Sequence, residues 1–185
     1  MAERLNPRCG QYNVEVISRH IERYLTAVKL LNLQPTPSSV ALNYGCGDRY
    51  TSEVLSCFFN HVVAYDADPT CFGTSDLRIT YTDEIPEFQY DAIFLIEVIE
   101  HIEKPATLLS DLLQYSDTLL ISTPIVPQTN HKPTNPHHRI EYCLKDFVLL
   151  LNTAGWHITS ADAKQTIFTD KQRATQGIFL AKGKQ

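Results

Sequence analysis

Apolar residues at Val14, Ile17, Ile21, Leu25, Val28 and Leu31 recur every three or four positions, which predicts an amphipathic helix from Val14 to Leu31. Its polar face carries Arg19, Glu22, Arg23 and Lys29. The segment from Pro35 to Ser39 breaks that helix, and the pattern then changes to short apolar runs. Val40 to Leu42, His61 to Tyr65, Leu77 to Tyr81, Tyr90 to Ile96 and Thr118 to Ser122 are predicted strands. The fourth is almost unbroken in apolar character, as expected of a strand buried on both faces. Helices are predicted within Cys46 to Phe59, over Pro105 to Leu113 with proline in the first turn, and over Leu144 to Ala154, where Gly155 supplies the stop. Trp156 to Ala161 and Ile178 to Ala181 read as a late hairpin at the sheet edge.

Strand and helix alternate, so the expected fold is α/β, a doubly wound, Rossmann-like, mostly parallel sheet with an antiparallel edge hairpin. About ten residues separate Asp66 from the third strand, fewer than the dozen or more of an ordinary parallel crossover, so that connection is predicted as a single turn or loop. The chain has 185 residues, which suits one domain: residues 1–37 as an N-terminal helix and lid, and residues 38–185 as the sheet. Apolar residues at 43% and charged residues at 20% describe a globular chain. A formal net charge of −5 argues against a broad nucleic-acid surface. The five cysteines contain no C-x-x-C pair, which indicates neither a disulfide framework nor a structural zinc site, and a reducing cytoplasm is the simplest expectation. No apolar run is long enough to span a bilayer, and the N-terminus lacks the design of a signal peptide.

Two places carry candidate chemistry. After the first strand come Gly45, Cys46 and Gly47, where glycines let backbone approach a ligand and the following helix offers free N–H groups. Asp66 ends the second strand, 21 positions after Gly45, near the spacing at which an acidic residue accepts hydrogen bonds from ribose hydroxyls. Tyr50 stands where a dinucleotide site would need a third glycine, so a pyrophosphate is not the favoured ligand. The fourth strand runs into Glu97, Glu100 and His101, spaced i, i+3, i+4; on a helical turn the three side chains would share one face. A polar loop of about twenty residues follows the fifth strand and carries His131, His137 and His138, and long loops in compact domains are often functional.

With these motifs in this order, the chain resembles the class I S-adenosylmethionine-dependent methyltransferases over roughly residues 38 to 181. Gly45-Cys46-Gly47 resembles their first motif, Val63 to Pro69 their second, Tyr90 to His101 the strand-four motif of a large subgroup, and Ser122-Thr123-Pro124 the end of their fifth strand. The resemblance implies a seven-stranded sheet with S-adenosylmethionine across the carboxyl ends of strands one, two and four. It implies a cofactor site of Gly45, Cys46, Gly47, Asp66, Ala67, Thr82, Asp83, Ile96 and Glu97. Asn43, at a position usually acidic in that family, and Arg49, in place of its usual third glycine, depart from the pattern.

Methyl transfer leaves the protein to align and deprotonate a nucleophile, and Glu97, His101 and His138 are the candidates for that work. The leading expectation is a methyltransferase acting on an O or N nucleophile of a small molecule or a chain end. Glu97, Glu100, His101 and His138-Arg139-Ile140-Glu141 also resemble the metal-dependent RNA 3′-terminal 2′-O-methyltransferases. That resemblance implies a divalent cation, magnesium or manganese, on Glu97, Glu100, His101 and His138, with an RNA end as substrate. On the first helix, His20, Arg19, Arg23 and Lys29 could meet a phosphate, with a solvated face as the alternative; Tyr12 and Tyr24 could belong to a lid, or be core or surface aromatics. A third expectation, motivated by Asn43 and Arg49, is a cofactor-binding or scaffold protein that has lost catalysis.

Overall fold

The structure, a computed structural model, describes residues 14–32, 36, 38–169 and 172–184, with backbone only over 163–169 and 172–174. The expected lid with Tyr12, and the helix-breaking Pro35 and Pro37, lie outside the described residues. The elements in order are α1 (Val14–Leu31), β1 (Val40–Tyr44), α2 (Tyr50–Leu55), β2 (His61–Tyr65), β3 (Ile79–Thr82), β4 (Ala92–Ile96), α3 (Pro105–Leu112), β5 (Thr118–Ile125), α4 (Leu144–Thr153), β6 (Trp156–Thr169) and β7 (Gln172–Gly183). One sheet has the order β3-β2-β1-β4-β5-β7-β6. Strands β1 to β5 are parallel, whereas β7 is antiparallel to both β5 and β6. The expected doubly wound sheet with its antiparallel hairpin is the fold observed.

Side chains alternate along the central strands, so each face of the sheet has its own core. Leu42, Ile93, Leu95, Leu119 and Ile121 pack with Leu109, Phe147 and Trp156 on the face covered by α3 and α4. Ala41, Phe94, Ile96 and Leu120 pack with Tyr24, Ala27 and Leu55 on the face covered by α1 and α2. Both cores need β4 apolar at every position, and all five of its residues are buried. Gly155 closes α4 at φ +94°, as its place in the sequence predicts. Between β2 and β3 the only helix is the 3₁₀ turn Pro69–Cys71, in line with the short crossover.

Two expectations change. The third strand begins at Ile79, and Leu77 is 95% exposed, because two hydrogen bonds from the Arg78 and Ile79 amides to the Asp76 carboxylate shape a turn there. The helix expected within Cys46 to Phe59 is observed as the six residues of α2, after the loop through Gly47 and Asp48. In α1 the buried positions are Arg23, Tyr24, Thr26 and Ala27, while Val14 and Leu25 are exposed. The apolar stripe located the helix but not the face it buries: Arg23, assigned to the solvated face, points inward.

Candidate active site

The strand order reverses direction at β1 and β4, and an open sheet binds ligands in the crevice beyond the carboxyl ends at such a switch point. The residues just beyond these ends are Gly45 after β1, Asp66 after β2, Asp83 after β3 and Glu97 after β4. Thr82 and Ile96 are the last residues of β3 and β4. All the residues implied as cofactor contacts therefore lie along one edge of the sheet.

Backbone shapes the first part of this edge. Gly45 has φ +71°, and a Cβ there would come within 2.6 Å of Val98 Cγ2, so the loop after β1 lies against the turn after β4 as only glycine allows. Gly47 has φ +51° and open space where a Cβ would project. Its N–H donates to Asp66 Oδ2 at 2.9 Å, and the Asp68 N–H donates to Oδ1 at 3.0 Å. Ala67 and Asp83 are exposed, and Thr82 turns its hydroxyl to the Glu84 carbonyl at 2.6 Å.

Asn43, the departure at the usually acidic position, is fully buried and fully bonded. Its Nδ2 donates to Thr51 Oγ1 at 3.1 Å and Ser52 Oγ at 3.0 Å, and its Oδ1 accepts from the Tyr24 hydroxyl at 3.0 Å. The amide offers two donors and one acceptor to three hydroxyls here. Asn43 thus ties α1 and α2 to the end of β1. The other departure, Arg49, lies along Gly73 and Tyr81: a Cβ on Gly73 would come within 2.9 Å of Arg49 Cδ.

Side chains shape the second part. Glu97 has φ +58°, a conformation unfavourable for any residue with a Cβ and concentrated at functional sites. It stands outside the 3₁₀ turn Ile99–His101, so the expected common face of Glu97, Glu100 and His101 is not formed. The Glu97 carboxylate accepts from Ser122 Oγ at 2.7 Å and from Gln176 Nε2, and lies 3.8 Å from Arg23. Arg23 and Gln176 are both buried. His20, one turn before Arg23, bonds Tyr50; burial, aided by Arg23, lowers its pKa to about 3, so it is neutral.

Glu100 is 1% exposed and bonds Thr123 Oγ1 at 3.1 Å. Burial, with the Glu97 carboxylate nearby, raises its pKa well above the usual carboxylate range. Glu100, His101 and His138 bring ligand atoms within 4.8 Å of one another, while Glu97 is outside this group. The histidine loop docks on the strand-four turn through the Arg139 N–H to the Glu100 carbonyl at 2.8 Å. His101 Nδ1 meets the His137 carbonyl at 2.8 Å, and His138 Nδ1 meets Glu141 Oε1 at 3.1 Å. Neither oxygen can donate to the ring, so Nδ1 is the donor in both contacts. Arg23 Nε, Glu100 Oε1, Tyr142 Oη and Gln176 Oε1 are buried without a hydrogen-bond partner among the described residues.

Sequence reasoning did not assign Arg23 or Gln176 to this region. Arg23 sits among polar helix positions, and Gln176 lies on β7, 79 positions from its partner Glu97. A signal for Arg23 was available in the spacing of His20, Arg23, Tyr24 and Ala27 at i, i+3, i+4 and i+7.

Comparison with known proteins agrees with this fold. The sequence pattern of the methyltransferase domain family matches residues 16–165. A probable S-adenosylmethionine-dependent methyltransferase of Mycobacterium tuberculosis is 26% identical over 130 residues, covering 62% of this chain and 47% of that protein. The chain thus spans about half the length of such curated relatives. Magnesium protoporphyrin IX methyltransferase from Synechocystis PCC 6803, solved with S-adenosylmethionine, superposes with a TM-score of 0.69 at 19% identity, covering 94% of this chain and 85% of that one. The 1,6-didemethyltoxoflavin-N1-methyltransferase of Burkholderia thailandensis, solved with S-adenosylhomocysteine, superposes at 0.65 with 15% identity, covering 90% and 79%. With the family pattern running through α1, the glycine loop, the strand-four turn and the histidine loop, this chain belongs to the methyltransferase domain family, whose cofactor is S-adenosylmethionine.

Proposed function

We propose that the chain transfers the methyl group of S-adenosylmethionine to an O or N nucleophile of a small molecule. The observation that carries the cofactor half is the Gly47–Asp66 hydrogen bond, which fixes a positive-φ glycine loop and an acidic strand end side by side at the switch point. In this reading Gly45, Cys46, Gly47, Asp66, Ala67, Thr82, Asp83, Ile96 and Glu97 line the cofactor, and residues 38–185 form its platform beneath the N-terminal helix. Asp66 accepts from the ribose hydroxyls.

The acceptor enters between α1 and the strand-four turn. Glu97, held by Ser122, Gln176 and Arg23, acts as a fixed charge that orients the reactants. His138 is the better general base, because Glu141 orients its ring and leaves Nε2 able to take a proton; His101 stands beside it. The orphaned atoms of Arg23, Gln176 and Tyr142 suit a polar acceptor. Both solved neighbours are named for small-molecule acceptors. His20 and Arg23, two candidates for a phosphate contact, turn inward, which favours a small molecule over an RNA end.

The decisive experiment is calorimetry with S-adenosylhomocysteine. Asp66→Ala should weaken binding about a hundredfold, from two hydrogen bonds to a charged group at about 1.5 kcal/mol each. Absence of binding by the unaltered protein overturns the proposal, and binding without turnover on a panel of acceptors favours a scaffold that has lost catalysis.

A second reading rests on Glu100, His101 and His138. Two histidines, each oriented by a hydrogen bond at Nδ1, resemble metal-ligating histidines, and with a carboxylate they suit a first-row divalent cation such as manganese. Burial disfavours the charged Glu100 carboxylate that a cation needs, so cation binding strengthens as pH rises. Manganese binding measured by electron paramagnetic resonance, lost in His138→Ala, is the expected outcome; unchanged binding in that variant removes this reading.

A further inference from the structure

Cys46 follows β1, Asp66 follows β2, and Cys71 ends the 3₁₀ turn Pro69–Cys71. The topology brings the three together: both sulfurs and a carboxylate oxygen of Asp66 lie within 4.8 Å of one another. We propose that Cys46, Asp66 and Cys71 form a site for a thiophilic divalent cation such as zinc or cadmium, and that metal and S-adenosylmethionine exclude each other there. The exclusion rests on the reading of Asp66 as the ribose contact.

The donor set fits such a cation. Zinc is held by thiolate at about 2.3 Å and by carboxylate at about 2.1 Å, so a tetrahedral site spaces its ligand atoms by about 3.6 to 3.8 Å. From the observed cluster this requires movement of roughly 1 Å at most. Two thiolates and one carboxylate are soft enough to discriminate against magnesium, and three protein ligands leave a fourth position for solvent.

The Cys46 thiol is not reactive by itself. Cys46 is 2% exposed, and burial, reinforced by the neighbouring Cys71 and Asp66, pushes its thiol up. A cation changes this by replacing the protons: each sulfur forms a bond to the metal as its proton passes to solvent, and nothing is oxidised or reduced. Two protons are released per metal. The metal then occupies the lone pairs of Asp66 that the ribose would use. Cys71 is partly exposed at the edge of the turn, giving the ion a way in.

The test uses the reduced full chain and cadmium alone, followed by the ultraviolet cadmium–thiolate absorption, with calorimetry of S-adenosylhomocysteine before and after loading. One cadmium should bind with release of two protons, zinc should displace it, and the loaded protein should bind S-adenosylhomocysteine at least about tenfold more weakly. Cys71→Ser should weaken cadmium by more than about a hundredfold, beyond the usual loss for a supporting partner, and leave S-adenosylhomocysteine binding unchanged. Cys57→Ser, at an exposed cysteine away from the cluster, should bind both as the unaltered protein does. Cadmium binding unaffected by Cys71→Ser, or no thiolate band in a protein that binds S-adenosylhomocysteine, overturns the site. Independent binding of the two overturns the exclusion. Cys71-dependent cadmium binding by a protein that never binds S-adenosylhomocysteine supports the metal site and overturns the cofactor reading instead.

Discussion

Around the loops after β1 and β2 the chain meets its own backbone, whereas around the turn after β4 it meets side chains drawn from α1, β5, β7 and the histidine loop. The first region is held by positive-φ glycines and by amides donating to Asp66. The second is held by Arg23, Glu97, Gln176, Glu100 and the paired histidines, several of them buried with atoms left unbonded. A backbone cradle suits a ligand of constant shape, since it tolerates little change. A cage of side chains from distant segments can be altered one residue at a time, so this is where acceptor choice can vary while the cofactor end stays fixed.

The comparison can be broken by mutation. The largest effect is expected at Arg23. Arg23→Met strands the Glu97 carboxylate, and removing one partner of a buried pair costs about 3 kcal/mol. Urea unfolding should show that loss, and Glu97→Gln in the same chain should recover most of it; a loss below about 1 kcal/mol means that solvent already screens the pair. Gly45→Ala tests the cofactor end, where the Val98 contact and positive φ together predict about 2 kcal/mol. Its S-adenosylhomocysteine affinity should fall as well, and unchanged affinity shows that the loop does not need the close approach.

The smallest effect concerns pH. Glu100 ionises at a higher pH in the folded protein than in the unfolded chain, so its stabilising contribution is complete below the ordinary carboxylate value and is lost as pH rises towards the raised value. The slope cannot exceed about 1.4 kcal/mol per pH unit. Glu100→Gln should flatten the unfolding profile above the ordinary carboxylate range, and an unchanged profile shows that Glu100 is not the buried acid.

The same contrast explains what could be read from the sequence. Strand β4 needs apolar residues at every position and is visible for that reason. Gly45, Gly47 and Asp66 follow strand ends at fixed spacings, so their grouping is local enough to recognise. Helix α1 was located to the residue, yet its inward face was misassigned because a helix covering a polar crevice turns His20 and Arg23 inward, against the apolar periodicity. The Glu97-Glu100-His101 spacing predicted one helical face, but the positive φ of Glu97 separates it from the other two. Gln176 had no local signal, since its proximity to Glu97 depends on β7 lying between β5 and β6.

That insertion of β7 has a consequence for the order in which the molecule is built. Strands β1 and β2 and the glycine loop involve residues close in sequence, whereas Glu97 waits for a strand begun at Gln172 to pair in reverse along β5, setting Gln176 opposite Pro124. Contacts of long sequence separation carry the larger loop-closure cost and form late. The acceptor end should therefore be the last part of the crevice to mature during folding. Pulse-labelled hydrogen exchange would register this as protection of β1 and β2 amides before those of β7.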